Sequence, residues 1–256
     1  MREPVICFGQ QPNGFFPKGF FYAKVETARK LQKKIGGKIV FFYHDSDADY
    51  RETITIFVDP KTGEEVRLNF NTKNKIQKKY SPLYIKKILS EWQDEIVRKL
   101  PRFMDEKLIN IFKQAQGLTV ADFCLDMYKR LGLLDGIEVM RSSDPGFRMK
   151  ADDLKEFFAD VPYQNEIVRA EMFNGKLRLH EGGGKYFDIE SPAVIEKYQK
   201  NPARDERFAW MQSVIHATHY VAGVGENGYL KKDNFPDVIF VERDAIEKSE
   251  YAYIPD

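Results

Sequence analysis

At 256 residues the chain is long enough for one large α/β domain, or for such a core carrying a small insertion. Hydrophobic residues at 43% and charged residues at 31% describe an ordinary globular composition. A formal net charge of +1, with Lys and Arg dispersed among Asp and Glu, removes the electrostatic case for a nucleic-acid partner.

Val5-Ile6-Cys7-Phe8, closed by Gly9, predicts a buried strand. A loop through Pro12, Asn13, Gly14, Pro17 and Gly19 follows. Over residues 20–35, Phe21, Val25 and Ala28 recur at helical spacing, and Gly36-Gly37 stops the helix. Ile39-Val40-Phe41-Phe42-Tyr43 is a second buried strand. Strand, loop, helix, strand is a βαβ unit, which closes into a parallel sheet. Residues 53–58 and 65–70 predict a hairpin around Pro60 and Gly63. Residues 82–116 have a helical pattern with surface charges alternating in sign, which places a helical insertion at 72–118. Thr119 and Gly132 cap and stop a helix over 120–131. A strand over 137–140 and a turn at 143–146 come next. Residues 167–173, 176–180 and 185–189 alternate apolar and polar, separated by Asn174-Gly175 and Gly182-Gly183-Gly184, which predicts an antiparallel meander within 163–190. Residues 202–210 open a helix, 214–221 read as a strand, and 238–241 form one more apolar run. The fold class is α/β, one domain over 1–256.

Cys7 and Cys124 are far apart and outside any CxxC pair, which argues against a zinc ribbon, a redox motif or a disulfide scaffold. A reducing cytoplasm is the expected compartment. No secretory-type apolar stretch follows Met1-Arg2, and no window reaches the roughly 18 apolar residues of a membrane span, so neither leader nor membrane contact is expected.

Three segments carry polar chemistry. The first loop contains Gly9, Gln10, Gln11, Gly14, Lys18 and Gly19 and sits between a strand end and a helix start, where free amides favour a phosphate or carboxylate. It lacks both the Walker and the dinucleotide glycine spacings. The second, His44 to Glu52, holds Asp47, Asp49 and Glu52, carboxylates suited to general-base work or a divalent cation, although its spacing is not that of a calcium-binding loop. The third runs through His216, His219, Gly223, Gly225, Glu226 and Tyr229 and again offers backbone amides at a strand end. His216 and His219 would face opposite sides of a strand, so neither is a strong catalytic candidate. His180-Glu181 and the glycines after it read as a hairpin turn rather than a phosphate loop.

Together the three segments resemble the cysteine-adding enzyme family of bacillithiol biosynthesis. Gly9, Gln10, Gln11, Gly14, Gly19 and Tyr22 are similar to that family's opening loop. Asp47-Ala48-Asp49-Tyr50-Arg51-Glu52 is similar to its acidic motif, with Ala48 in place of the family histidine and His44 a few residues earlier. Asp144-Pro145, Arg148, Tyr163-Gln164, Arg207 and Gly223-Val224-Gly225-Glu226-Asn227-Gly228-Tyr229 follow in the family's order. The resemblance implies a Rossmann-like fold related to nucleotidylyltransferases. It also implies a ligase-like reaction joining cysteine to a glucosaminyl-malate sugar. The family's coiled-coil arm has no counterpart here, so oligomeric state does not carry over.

The expected mechanism is ligase or transferase chemistry on a small polar metabolite, with a nucleotide (ATP or ADP) and magnesium as conceivable cofactors. His44 would be the general base, with Asp47, Asp49 and Glu52 orienting an amine or hydroxyl. Lys18 and the loop amides would hold an anion. Glu226 would form the opposite wall, and Arg207 would pair with a carboxylate or phosphate. Two alternatives stand beside it. One is a nucleotidylyltransferase, against which no histidine precedes His44; the other is a non-catalytic binding paralogue.

Overall fold

The computed structural model describes residues 3–72 and 74–254. Met1 and Arg2 of the leader reading, Lys73 of the insertion, and Pro255 and Asp256 of the whole-chain span lie outside them. In chain order the elements begin with β1 (Val5–Gln10), α1 (Gly19–Ile35), β2 (Lys38–Tyr43), β3 (Thr55–Val58) and β4 (Glu65–Leu68). Helices α2 (Lys75–Tyr80), α3 (Trp92–Lys99), α4 (Glu106–Gln114) and α5 (Val120–Arg130) follow, then β5 (Ile137–Arg141) and α6 (Pro145–Lys150). Next are β6 (Phe157–Tyr163), β7 (Glu166–Phe173), β8 (Lys176–Gly182), β9 (Lys185–Ile189) and β10 (Lys200–Pro202). The rest comprises α7 (Arg207–Ile215), β11 (His219–Ala222), α8 (Val224–Asn227) and β12 (Ile239–Glu242).

A five-stranded, wholly parallel sheet in the order β12-β11-β1-β2-β5 forms the centre. Its central strands β1, β2 and β11 are apolar on both faces, which are covered by helices. Ile6, Phe8, Ile39, Phe41 and Val221 face α1 and α5. Val5, Cys7, Val40, Phe42 and Tyr220 face α6 and α7, where Phe147, Phe208, Trp210 and Met211 pack. Full burial of such side chains stabilises by roughly 1.5–3 kcal/mol each. Gly37 lets the chain enter β2: its φ is +84°, and a Cβ there would meet the Pro4 carbonyl oxygen at 2.1 Å.

A second five-stranded sheet, β10-β6-β7-β8-β9, is antiparallel and lies against α2 through Tyr80. Its turn at Asn174-Gly175 has φ of 48° and 77°, the backbone the Asn-Gly pair predicts. A buried ion pair between Arg148 and Asp160 (2.9 Å) ties this sheet to the parallel unit, with Tyr84 and Asn201 also donating to Asp160.

Several expectations need correction. The meander gains two strands, β6 and β10, outside the predicted three. The segment 72–118 contains α2, α3 and α4, and it is anchored inward as well as solvated outward: Trp92, Ile96, Leu108 and Phe112 join the main core beside Phe15 and Phe16. Residues 202–210 end a strand before the helix starts at Arg207, and 214–221 is not one strand. Helix α7 runs to Ile215, His216 caps it in the left-handed region (φ 51°), and β11 starts only at His219. The turn at 143–146 is the start of α6, where the Asp144 carboxylate accepts from the Gly146 and Phe147 amides. The second strand of the β3–β4 hairpin stops at Leu68. Among the described residues no helix is long and apolar enough to cross a membrane.

Candidate functional site

Strand order reverses at β1, whose partners are β2 on one side and β11 on the other. In open parallel sheets this switch point leaves a crevice beyond the strand carboxyl ends, where ligands bind. Here it is a cavity of about 650 Å³. Gly9, Gln10 and Gln11 line it from the end of β1, His44 from β2, Gly223, Gly225 and Glu226 from β11 and α8, and Arg207 from α7. Tyr229, Arg204 and Arg243 complete the rim. Gly9 is closely packed: a Cβ would lie 2.9 Å from the Tyr220 hydroxyl and 3.3 Å from His44 Nε2, so either side chain would have to shift.

Lys24, which sequence reasoning missed, organises the floor. It is 2% exposed, and its ammonium donates to the Gly9 carbonyl (2.7 Å), to Gln10 Oε1 (3.1 Å) and to the Glu226 carboxylate. Glu226 also accepts from the Gly223 amide (2.6 Å) and from the Tyr220 hydroxyl (3.1 Å). Burial, reinforced by Glu226, pushes the Tyr220 phenol well above its ordinary range, so it stays a donor. Glu226 is therefore held as an acceptor by three groups of the protein itself. No sequence signal marks a lysine in mid-helix as buried; only its position five residues past the Gly19 start, beside the end of β1, does so.

His44 follows β2 and is 8% exposed, its ring edge-on to Phe42 (4.4 Å between centroids). Burial first, then the Arg207 guanidinium, holds its imidazole well below the usual range, against an opposing pull from Asp47. It is neutral at pH 7, a proton acceptor whose basicity rises when an anion offsets the surrounding arginines.

Asp47 stands at the crevice edge. Its carboxylate accepts from the Gln11 amide and pairs with Arg207 (3.2 Å) and Arg169 (3.5 Å). Desolvation would raise it, but the two guanidiniums outweigh that and hold it far below the usual carboxylate range. The expected partner of Arg207 is thus supplied within the protein.

The other predicted site residues lie outside the crevice lining. Beyond Gln11 the first loop turns into the core: Phe15 and Phe16 are fully buried, and the Tyr128 hydroxyl donates to the Gly14 carbonyl (2.9 Å). The amides at the start of α1 are not free. Gly19 and Phe20 donate to the carbonyls of Tyr251 and Ser249, both at 2.9 Å. Lys18 faces Glu250 (3.7 Å), and Tyr22 stacks on Tyr253 (3.7 Å). Asp49 is turned away and chelates Arg51, and Glu52, its carboxyl pushed up by burial, also lies outside the crevice lining. His216 is exposed at a helix end, and His219 bonds Thr218 at the start of β11, opposite the crevice end. Asp45 is spent structurally, buried against Arg141, Ser142 and Ser143. Among the described residues no group of three or more His, Cys, Asp or Glu side chains converges to hold a metal ion. Both cysteines are buried and free.

Compared with known proteins, the chain matches no family model and no curated protein.

Proposed function

We propose that the chain is a ligase- or transferase-type enzyme acting on a small anionic metabolite in the switch-point crevice, on a Rossmann-like sheet of the nucleotidylyltransferase kind. The observation that carries this reading is a neutral His44 beside a rim bearing Arg204, Arg207 and Arg243. An anion drawn to the rim counters the arginine field and makes His44 a better base where the substrate lies. Lys24, Tyr220 and Glu226 fix the backbone around it. The resemblance to the cysteine-adding family names the class: cysteine as the amino acid, a sugar-malate as acceptor. Amide formation releases water, so a nucleoside triphosphate is the co-reactant class that would activate the carboxyl. The free thiols suit a cytoplasmic setting.

Incubating the protein with amino acids, amino-sugar acids and ATP, followed by mass spectrometry, tests it. A condensation product that disappears in His44→Ala is expected; unchanged turnover in that variant refutes the role of His44. Binding without turnover for every pair supports a binding-only paralogue. That second reading is favoured by Asp47 and Glu226, whose carboxylates are already engaged within the protein.

A further inference from the structure

Asp47 pairs with Arg207 of the crevice and with Arg169, which lines a second cavity of about 660 Å³ between the His44 loop, α2 and the antiparallel sheet. Arg169 reaches it from β7 with its side chain only 9% exposed. Its guanidinium lies over the Phe158 ring (4.0 Å), and its Nε–H is buried without any hydrogen-bond partner. A buried guanidinium proton left unsatisfied costs free energy that an anionic acceptor would recover. Asp47 cannot satisfy both arginines fully, because one carboxylate serves Arg169 and Arg207 together.

The opposite wall is basic. Lys75, Lys78 and Lys79 border the cavity from α2, with Lys78 over the Tyr50 ring (5.0 Å) and Lys79 over Tyr80 (5.1 Å). Arg51 is consumed by Asp49, which leaves Glu181 as the acid facing these lysines. Separate ammonium point charges facing one fixed guanidinium suit a multiply charged tetrahedral anion rather than a flat carboxylate, which takes a single bidentate partner. Tyr80 and Phe158 supply an apolar flank for the body that carries it.

We infer that this cavity binds the phosphate group of a small phosphorylated metabolite, with Arg169 as its buried anchor and Lys78 and Lys79 as its outer clamp. The site has its own lining residues, meets the crevice only through the Asp47 carboxylate, and does not depend on the reaction proposed there.

The test is calorimetric titration of the full chain with inorganic pyrophosphate, alongside the nitrogen resonance of Arg169 Nε. Lys78→Gln/Lys79→Gln changes exposed side chains and is expected to weaken binding by about tenfold. Arg204→Gln/Arg243→Gln, which alters the crevice rim without touching the Asp47 pairing, is expected to leave affinity within about twofold. The Arg169 Nε–H signal should move on saturation as it gains an acceptor. The inference is overturned if no pyrophosphate binds, if only the crevice variant weakens it, or if the Arg169 signal stays put. Tighter binding of citrate than of pyrophosphate also overturns the phosphate assignment.

Discussion

Lys86 gives the sharpest test of how burial tunes charge in this molecule. The residue is fully buried, its ammonium donates to the Ala48 carbonyl, and it lies 5.6 Å from the centre of the Tyr50 ring. Desolvation lowers it from the ordinary 10.5 to about 7, against the pull of Asp47 and Asp49. Above pH 7 the unfolded chain keeps this proton while the folded chain sheds it, so stability rises with pH until the unfolded lysine also titrates. Between about pH 7 and about pH 8.5 the gain integrates to roughly 1.5 kcal/mol, at about 1.4 kcal/mol per unit of proton difference. Lys86→Met deletes the titration and keeps the volume. Urea denaturation of both proteins at the two pH values isolates the effect, because the buried thiols, whose own titration opposes it, are common to both. The expected result is a stability advantage of the variant that shrinks by roughly 1.5 kcal/mol as pH rises. A difference that stays constant with pH refutes the reasoning.

Asp47→Asn leaves Arg169 and Arg207 facing each other without their shared counter-charge; a loss of about 3–5 kcal/mol is expected in denaturant titration. Gly37→Ala forces a side chain into the left-handed region and onto the Pro4 carbonyl, and a large drop in Tm with poor expression is expected. Lys24→Met removes the one cation among the three groups that hold Glu226; crevice ligand affinity should fall, read by calorimetry, while pyrophosphate binding at the second cavity is retained. Tyr253→Ala removes the stack on Tyr22, and limited proteolysis should then cut faster around residues 246–253.

The parallel core was legible because β1 and β2 are apolar on both faces, a pattern that leaves few alternatives for a short run between glycines. Asn174-Gly175 named its turn through backbone conformation alone. Strand β6 escaped because Asp160 and Pro162 interrupt its apolar pattern, and the burial of Asp160 is met by Arg148, Tyr84 and Asn201 from three other parts of the chain. Residues 214–221 looked continuous since nothing in His216 announces a left-handed cap. At the site, the residues at strand ends (Gly9, Gln10, Gln11, His44, Gly223, Glu226) were readable from position. Lys18 and Gly19 were not, because what fills the helix start is the backbone of residues 249–251, and Gly14 was not, because Tyr128 takes its carbonyl inside the core; no local pattern signals either. Lys24 and Arg169 were missed for one reason: long cationic side chains are assigned to solvent by default, and only tertiary packing buries them.

The pairing of β1 with β11 has a consequence for how the polypeptide acquires its shape. The Val5 amide bonds to Thr218, 213 positions downstream, so the middle of the sheet is completed by one of the longest loop closures the chain contains. Contacts so distant in sequence slow the search for the native arrangement. While the ribosome is still making residue 218, one flank of β1 has backbone groups with nothing to pair them and apolar neighbours on both faces. Such an open edge invites association with other nascent chains. Chaperone demand during synthesis should therefore persist until the β11 segment has emerged, and then fall abruptly.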